Sequence, residues 1–152
     1  MRRKRWVDRS PLFLPAETSV RVRFQEADAL GIVWHGHYLT YFEDGRNAFG
    51  RQYSFDYSRL RREGFIVPIV RIEAEFFAPA RFDEVLRVEA RLHPAEGAWI
   101  PFTYIVRDGG GRTLAKGSSV QVFTDLDGTL VLTQPGFYRE FLERWKERMV
   151  EG

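Results

Sequence analysis

Between His37 and Gly50 the chain carries Tyr38, Leu39, Tyr41, Phe42 and Phe49 at helical spacings, apolar around most of the circumference of the first two turns. A helix of that kind is stable only when other elements cover it, so the fold has to be built around it. The remaining sequence supplies the cover. From Thr18, Val20, Val22 and Phe24 alternate with Arg21 and Arg23, the period of a half-buried strand. After the helix, Phe55 to Glu63 reads as a short helical connection closed by Gly64, and four strand-like runs follow. In the first, Val70, Ile72, Ala74 and Phe76 oppose Arg71, Glu73 and Glu75, and Pro79 ends the run. In the second, Leu86, Val88, Ala90 and Leu92 oppose Arg87, Glu89 and Arg91, and Pro94 ends it. The third, Trp99 to Arg107, is apolar on both faces apart from Thr103; the fourth covers Arg112 to Thr124. Asp108-Gly109-Gly110-Gly111 between them is a hairpin signal. A last amphipathic helix, opened at Pro135, places Tyr138, Phe141, Leu142, Trp145 and Met149 on one stripe. This order predicts an α+β fold: a curved antiparallel sheet of about five to six strands around one long central helix, plus a C-terminal helix.

The 152 residues suit one domain over 17–152, preceded by an arm over 1–16 in which Pro11 and Pro15 interrupt a Leu-Phe-Leu segment. Met1-Arg2-Arg3-Lys4-Arg5 is basic, but no apolar run long enough for a signal peptide follows, and no stretch approaches transmembrane length. Cysteine is absent, which excludes disulfides and thiolate zinc sites and fits a cytoplasmic setting. The net charge is +2 and the arginines are spread along the chain, which argues against a nucleic-acid partner. Individual arginines still suit a phosphorylated ligand.

Chemistry concentrates between Phe24 and Arg46. A lone acid, Asp28, precedes a tight turn at Gly31, and His35-Gly36-His37 opens the helix. A carboxylate in an apolar loop can have its reactivity tuned by burial. The free N–H groups of a helix start can hold a developing negative charge. Each residue also has a plainer reading. Asp28 can cap the turn. His35 and His37, with Asp28 or Glu43, invite a metal, although helical ligands are usually three or four apart. Glu43 reads as a second acid or as a partner of Arg46 or Arg51. His93, beside Pro94, reads as a surface residue, and nearly all aromatics read as core. Asp125-Leu126-Asp127-Gly128-Thr129 spells a phosphatase motif without the large downstream domain that chemistry needs, so it reads as a reversal between Val122-Phe123 and Leu130-Val131. The Gly109–Gly111 run likewise lacks the strand-to-helix context of a phosphate loop.

Ala27-Asp28-Ala29-Leu30-Gly31-Ile32-Val33-Trp34-His35-Gly36-His37-Tyr38, followed by Phe42-Glu43 and Arg46, resembles the signature of the hydroxybenzoyl-CoA thioesterase group of the hot-dog fold superfamily. The likeness continues through Ala78-Pro79-Ala80-Arg81-Phe82-Asp83-Glu84 and covers most of Thr18 to Val131. It implies a hot-dog fold, a homodimer with sheets joined edge to edge and often paired into a homotetramer, and hydrolysis of acyl-CoA thioesters. It implies no metal or bound organic cofactor, CoA being part of the substrate. Asp28 matches the family's catalytic carboxylate, which attacks the thioester carbonyl or activates a water. The His35 N–H matches the helix-start donor to the carbonyl oxygen, and the His35 side chain is implied near Asp28. Gly31, Val33, Trp34, Gly36, His37, Tyr38 and Glu43 are implied at the substrate, with the Tyr38 ring beneath the acyl pocket. Arg81, Arg112 and Lys116 are the candidates for the CoA phosphates. The chain departs from the pattern at Glu26 and Ala27, where relatives often place an acid or Thr just before the catalytic Asp, and at His37, where Asn is common. The alternatives are an acyl-CoA hydratase or dehydratase, whose Asp-x-Asn-Pro-x-His spacing is absent here, and a non-catalytic acyl-CoA-binding protein.

Overall fold

The computed structural model describes residues 9–152. Its main element is helix α1, Tyr38–Tyr53, entered through a 3₁₀ turn at His35–His37. Tyr38, Tyr41, Phe42, Gly45, Arg46, Phe49 and Gly50 form its buried stripe, at the three- and four-residue spacings that share one helix face. The helix is therefore sealed on one side rather than all round, and Leu39 points to the exposed side. Each ring of the stripe contributes about 2–3 kcal/mol by leaving water.

Six antiparallel strands curve around that stripe in the order β3-β6-β5-β4-β1-β8. They are β1 Leu12–Arg21, β3 Ile69–Phe76, β4 Val85–Leu92, β5 Trp99–Arg107, β6 Thr113–Val122 and β8 Val150–Glu151; a separate pair joins β2 Phe65–Ile66 to β7 Thr124–Asp125. Alternate residues Leu86, Val88, Ala90 and Leu92 on β4, and Ile100, Phe102, Tyr104 and Val106 on β5, are buried against the helix. Close approach is bought with missing side chains. A Cβ on Gly117 of β6 would lie 2.3 Å from the Phe42 ring and 2.7 Å from the Glu73 carbonyl oxygen, while one on Gly45 would lie 3.0 Å from Val88. Phe42 stacks flat on Tyr104 at 4.5 Å, and Phe49 meets Phe102 edge-on at 5.2 Å.

Helix α2, Tyr57–Arg62, is capped by Asp56, whose Oδ1 accepts the Arg59 N–H, and Gly64 follows at φ +95°. Helix α3, Gly136–Trp145, packs Tyr138, Phe141, Leu142 and Trp145 on the core and stops before Met149, which docks after a 3₁₀ turn. The Asp108 and Asp125 segments are turns: each carboxylate accepts two backbone N–H groups, and Gly111 and Gly128 take positive φ. Three further sequence expectations change. The first strand starts at Leu12, so residues 12–16 of the expected arm are sheet, and residues 1–8 lie outside the described part. Pro15 is tolerated because β8 pairs only with Leu12 and Phe13, leaving that edge open where Pro15 lies. His93 is buried, 8% exposed, between the Ser10 carbonyl and Thr103 Oγ1, each at 2.8 Å. The third is Arg46. It falls on the buried stripe and bonds Tyr104 Oη at 2.9 Å, whereas Glu43 is exposed on the other face and forms no ion pair among the described residues. The helix inside a curved antiparallel sheet is the expected hot-dog arrangement.

Candidate active site

Asp28 stands in a small hairpin closed by an Ala27–Val33 bridge. Its N–H donates to the Ile32 carbonyl at 2.8 Å, and the Gly31 N–H donates to the Asp28 carbonyl at 2.9 Å. Gly31 takes φ +77°, which only glycine adopts cheaply. Asp28 Oδ1 accepts the Leu30 N–H at 2.8 Å, so the capping role is present. The same bond leaves Oδ2 without a hydrogen bond among the described residues: one oxygen fixes the carboxylate and the other is open to a ligand or water. The hairpin is fastened from two sides. Ile32 bridges to Arg81 and the Val33 N–H donates to the Ala80 carbonyl at 2.9 Å, while the Trp34 N–H donates to the Glu26 carbonyl at 3.0 Å.

Trp34 is extended and caps the 3₁₀ turn that runs into α1. The N–H groups of His35 and Gly36 precede any intrahelical acceptor and carry the positive end of the helix dipole. The Trp34 ring lies over Gly36, where a Cβ would sit 2.1 Å from it, and contacts His35 and His37 at centroid distances of 4.9 and 5.5 Å. Phe76, at the end of edge strand β3, contacts His35 at 6.4 Å and Tyr38 at 5.2 Å. Burial pushes the Tyr38 phenol above its usual pKa, opposed by the adjacent Ala80 backbone. Tyr41 donates to Glu26 Oε1 at 3.1 Å, and burial together with the Glu26 charge raises its pKa strongly.

Around this hairpin the chain exposes apolar side chains: Phe24 and Leu30 at 78%, Trp34 at 49%, and Phe76, Phe77 and Phe82 at about half. Concentrated apolar exposure marks a binding surface. It also corrects the assignment of nearly all aromatics to the core.

Of the residues singled out from the sequence, Asp28, Gly31, Val33, Trp34, His35, Gly36, His37, Tyr38 and Arg81 share the hairpin, the helix start and the loop bridged to them. Glu43 faces solvent on α1. Arg112 sits in the β5–β6 turn, 3.4 Å from Asp108. Lys116 pairs across the sheet with Glu75 and Ile105, away from α1. Among the described residues, no group of three or more His, Asp or Glu is placed to hold a metal. Sequence reasoning missed Phe76, Tyr41 and the bonding of Glu26. Phe76 looked like one more strand residue, and only the edge position of β3 brings it to the helix start.

The model of the thioesterase-like superfamily matches residues 22–144. The acyl-CoA thioester hydrolase YbgC of Escherichia coli O6:H1 is 30% identical over 84 residues, 55% of this chain and 63% of that protein. A hypothetical protein of Thermus thermophilus superposes with TM-score 0.77 at 30% identity, covering 85% of this chain and 98% of that one. A 4-hydroxybenzoyl-CoA thioesterase mutant solved with 4-hydroxybenzoyl-CoA superposes with TM-score 0.73 over 84% of this chain and 97% of its own; at 21% identity this is a likeness of fold.

Proposed function

The chain belongs to the thioesterase-like superfamily, and from that premise we propose that this thioester hydrolase cleaves acyl-CoA at the Asp28 hairpin, with no metal or organic cofactor. The observation that carries the reading is the half-satisfied Asp28 carboxylate, held by the Leu30 N–H and fastened through Glu26 and Trp34 to a helix start whose first N–H groups have no acceptor among the described residues.

In the general-base route, Asp28 Oδ2 takes a proton from a water as its oxygen bonds to the thioester carbon. The carbonyl oxygen becomes an oxyanion against the His35 and Gly36 N–H groups and the positive end of α1. Collapse breaks the carbon–sulfur bond, and the Asp28 proton passes to the CoA sulfur, giving acid and thiol. In the nucleophilic route the carboxylate bonds the carbon first, thiolate leaves, and water cleaves the resulting anhydride. Single turnover in ¹⁸O-water separates the two, since the second places an Asp28 oxygen in the product when water attacks the aspartyl carbonyl. Trp34, Phe76 and Tyr38 offer the acyl group an apolar wall, and Arg81 lies nearest the hairpin for the CoA phosphates. A second copy pairing along the open edge of β3, beside Phe76 and Phe77, would cover the exposed rings and make the working unit a homodimer.

The deciding experiment measures thiol release from aliphatic and aromatic acyl-CoAs by wild type and Asp28→Asn. Turnover lost in the variant supports the reading and names the acyl class; no release from any acyl-CoA by wild type would sink it.

A further inference from the structure

The proposed reaction needs two parts that belong to different elements, the carboxylate on the hairpin and the N–H donors at the start of α1. Glu26 stands where they join. Its carbonyl accepts the Trp34 N–H at 3.0 Å, while its Oε1 accepts the Arg23 N–H at 2.7 Å and the Tyr41 hydroxyl at 3.1 Å. Tyr41 lies one turn into α1, 1% exposed, its ring packed edge-on against Tyr38 at 5.6 Å. The Tyr38 phenol in turn lies beside the Ala80 backbone, and the Ala80 carbonyl receives the Val33 N–H. Two tyrosines on successive turns of the rigid helix therefore reach the two segments that hold the hairpin.

Resting on the reading of Asp28 above, we propose that Tyr41 and Glu26 are positioning residues: their hydrogen bond sets the distance between the Asp28 carboxylate and the helix-start N–H groups. The chemistry suits the task. The phenol stays protonated because burial and the Glu26 charge both oppose its ionisation, so the donor is permanent. One side-chain oxygen accepting two donors at once ties the hairpin backbone and the helix to a common point, and hydrogen bonds fix a direction as well as a distance. Neither residue touches the reacting atoms. Their effect runs through the hairpin backbone, where a displacement of about 1 Å can cost up to about a hundredfold in rate.

The test compares Tyr41→Phe, Glu26→Ala and Glu26→Gln with Asp28→Asn in parallel, each followed by thermal melting and by kcat and KM for the best acyl-CoA. Tyr41→Phe removes one oxygen and keeps the packed ring. The expected result is a loss of kcat of about tenfold with KM within about twofold, because the acyl and phosphate contacts are untouched. Glu26→Ala shows the same loss, and Glu26→Gln, whose Oε1 still accepts both bonds, keeps kcat within about twofold of wild type. The double variant Tyr41→Phe/Glu26→Ala is no worse than its worse single. Wild-type kcat in Tyr41→Phe overturns the proposal, as does a loss that matches the unfolded fraction in the melt. Equal damage from Glu26→Gln and Glu26→Ala overturns it too, and decides the matter if Tyr41→Phe fails to fold. An inactive Asp28→Asn beside a fully active Tyr41→Phe removes only this inference, whereas an active Asp28→Asn removes the reading it rests on.

Discussion

The two ends of α1 are built from the same residue types and finished in opposite ways. At the far end, Phe49, Phe55 and Tyr138 are buried, α3 lays Phe141 on Phe55 at 4.3 Å and Trp145 on Tyr53 at 5.0 Å, and the Tyr138 hydroxyl donates to the Trp99 carbonyl at 3.0 Å. A cavity there, between Arg46, Phe55, Leu60 and Gln121, is only about 30 Å³, small beside a ligand pocket. At the near end, Trp34, Phe76 and Leu30 stand exposed, and the Asp28 hairpin is held by backbone hydrogen bonds and by Val33, its residue in the core. The lesson is one of division. A closed end supplies stability, and an end left apolar and open keeps surface free for a ligand or a second copy.

The largest expected effect lies at the open end. Asp28→Asn keeps the oxygen that accepts the Leu30 N–H but removes the proposed base, so thiol release should fall by about a hundredfold to ten-thousandfold. Because no core group changes, its melting curve should match wild type. A variant that unfolds instead would mean that the hairpin is part of the closed core.

A matched pair of glycine substitutions sharpens the contrast further. Gly117→Ala thrusts a methyl at the fixed Phe42 ring and at the Glu73 carbonyl oxygen, neither of which can retreat. It should cost about 1–3 kcal/mol, a fall of several degrees in Tm, with KM unchanged. Gly36→Ala meets first the half-exposed Trp34 ring, which can swing into solvent. Stability should hold, and KM should rise several-fold as the aromatic wall is displaced. Equal losses of Tm in the two variants would erase the distinction between the ends.

The sequence reveals the closed part better than the open one, for a physical reason. Strand periods and helix stripes report one buried face, so β3 to β6 and α1 could be placed from Val, Leu and Phe spacing alone. The same periods cannot say which strand is an edge. Phe76 and Leu86 carry equal weight in the pattern, yet Phe76 lies on the outermost strand and Leu86 in the centre. The Asp28 hairpin was legible as a motif, since an acid, a glycine turn and a helix start are local. Its fastening was not, because Glu26 meets Tyr41 fifteen residues away, through a hydrogen bond that only the folded helix brings into reach. His93 was misread for a related reason: a histidine beside a proline looks like a strand end, and the N-terminal segment that covers it comes from residue 10.

That covering contact gives the smallest effect and tests whether closure extends to the outer face of the sheet. The His93 imidazole donates from Nδ1 to the Ser10 carbonyl and accepts at Nε2 from the Thr103 hydroxyl, the tautomer that satisfies both partners. Burial lowers its pKa below the ordinary value; the Ser10 hydrogen bond opposes the shift, and the positive charges of Arg9 and Arg91 add to it. The sign follows. Above about pH 6.5, the unperturbed value, the ring is neutral folded and unfolded and costs nothing. Below it the unfolded chain binds a proton that the folded ring resists, so stability declines until the lowered folded pKa is passed. Melting curves between pH 7.5 and 5 should therefore slope more steeply for wild type than for His93→Gln. Parallel slopes would mean that the ring protonates as freely as in the unfolded chain, and that the outer face, like the Asp28 end of α1, is open to water.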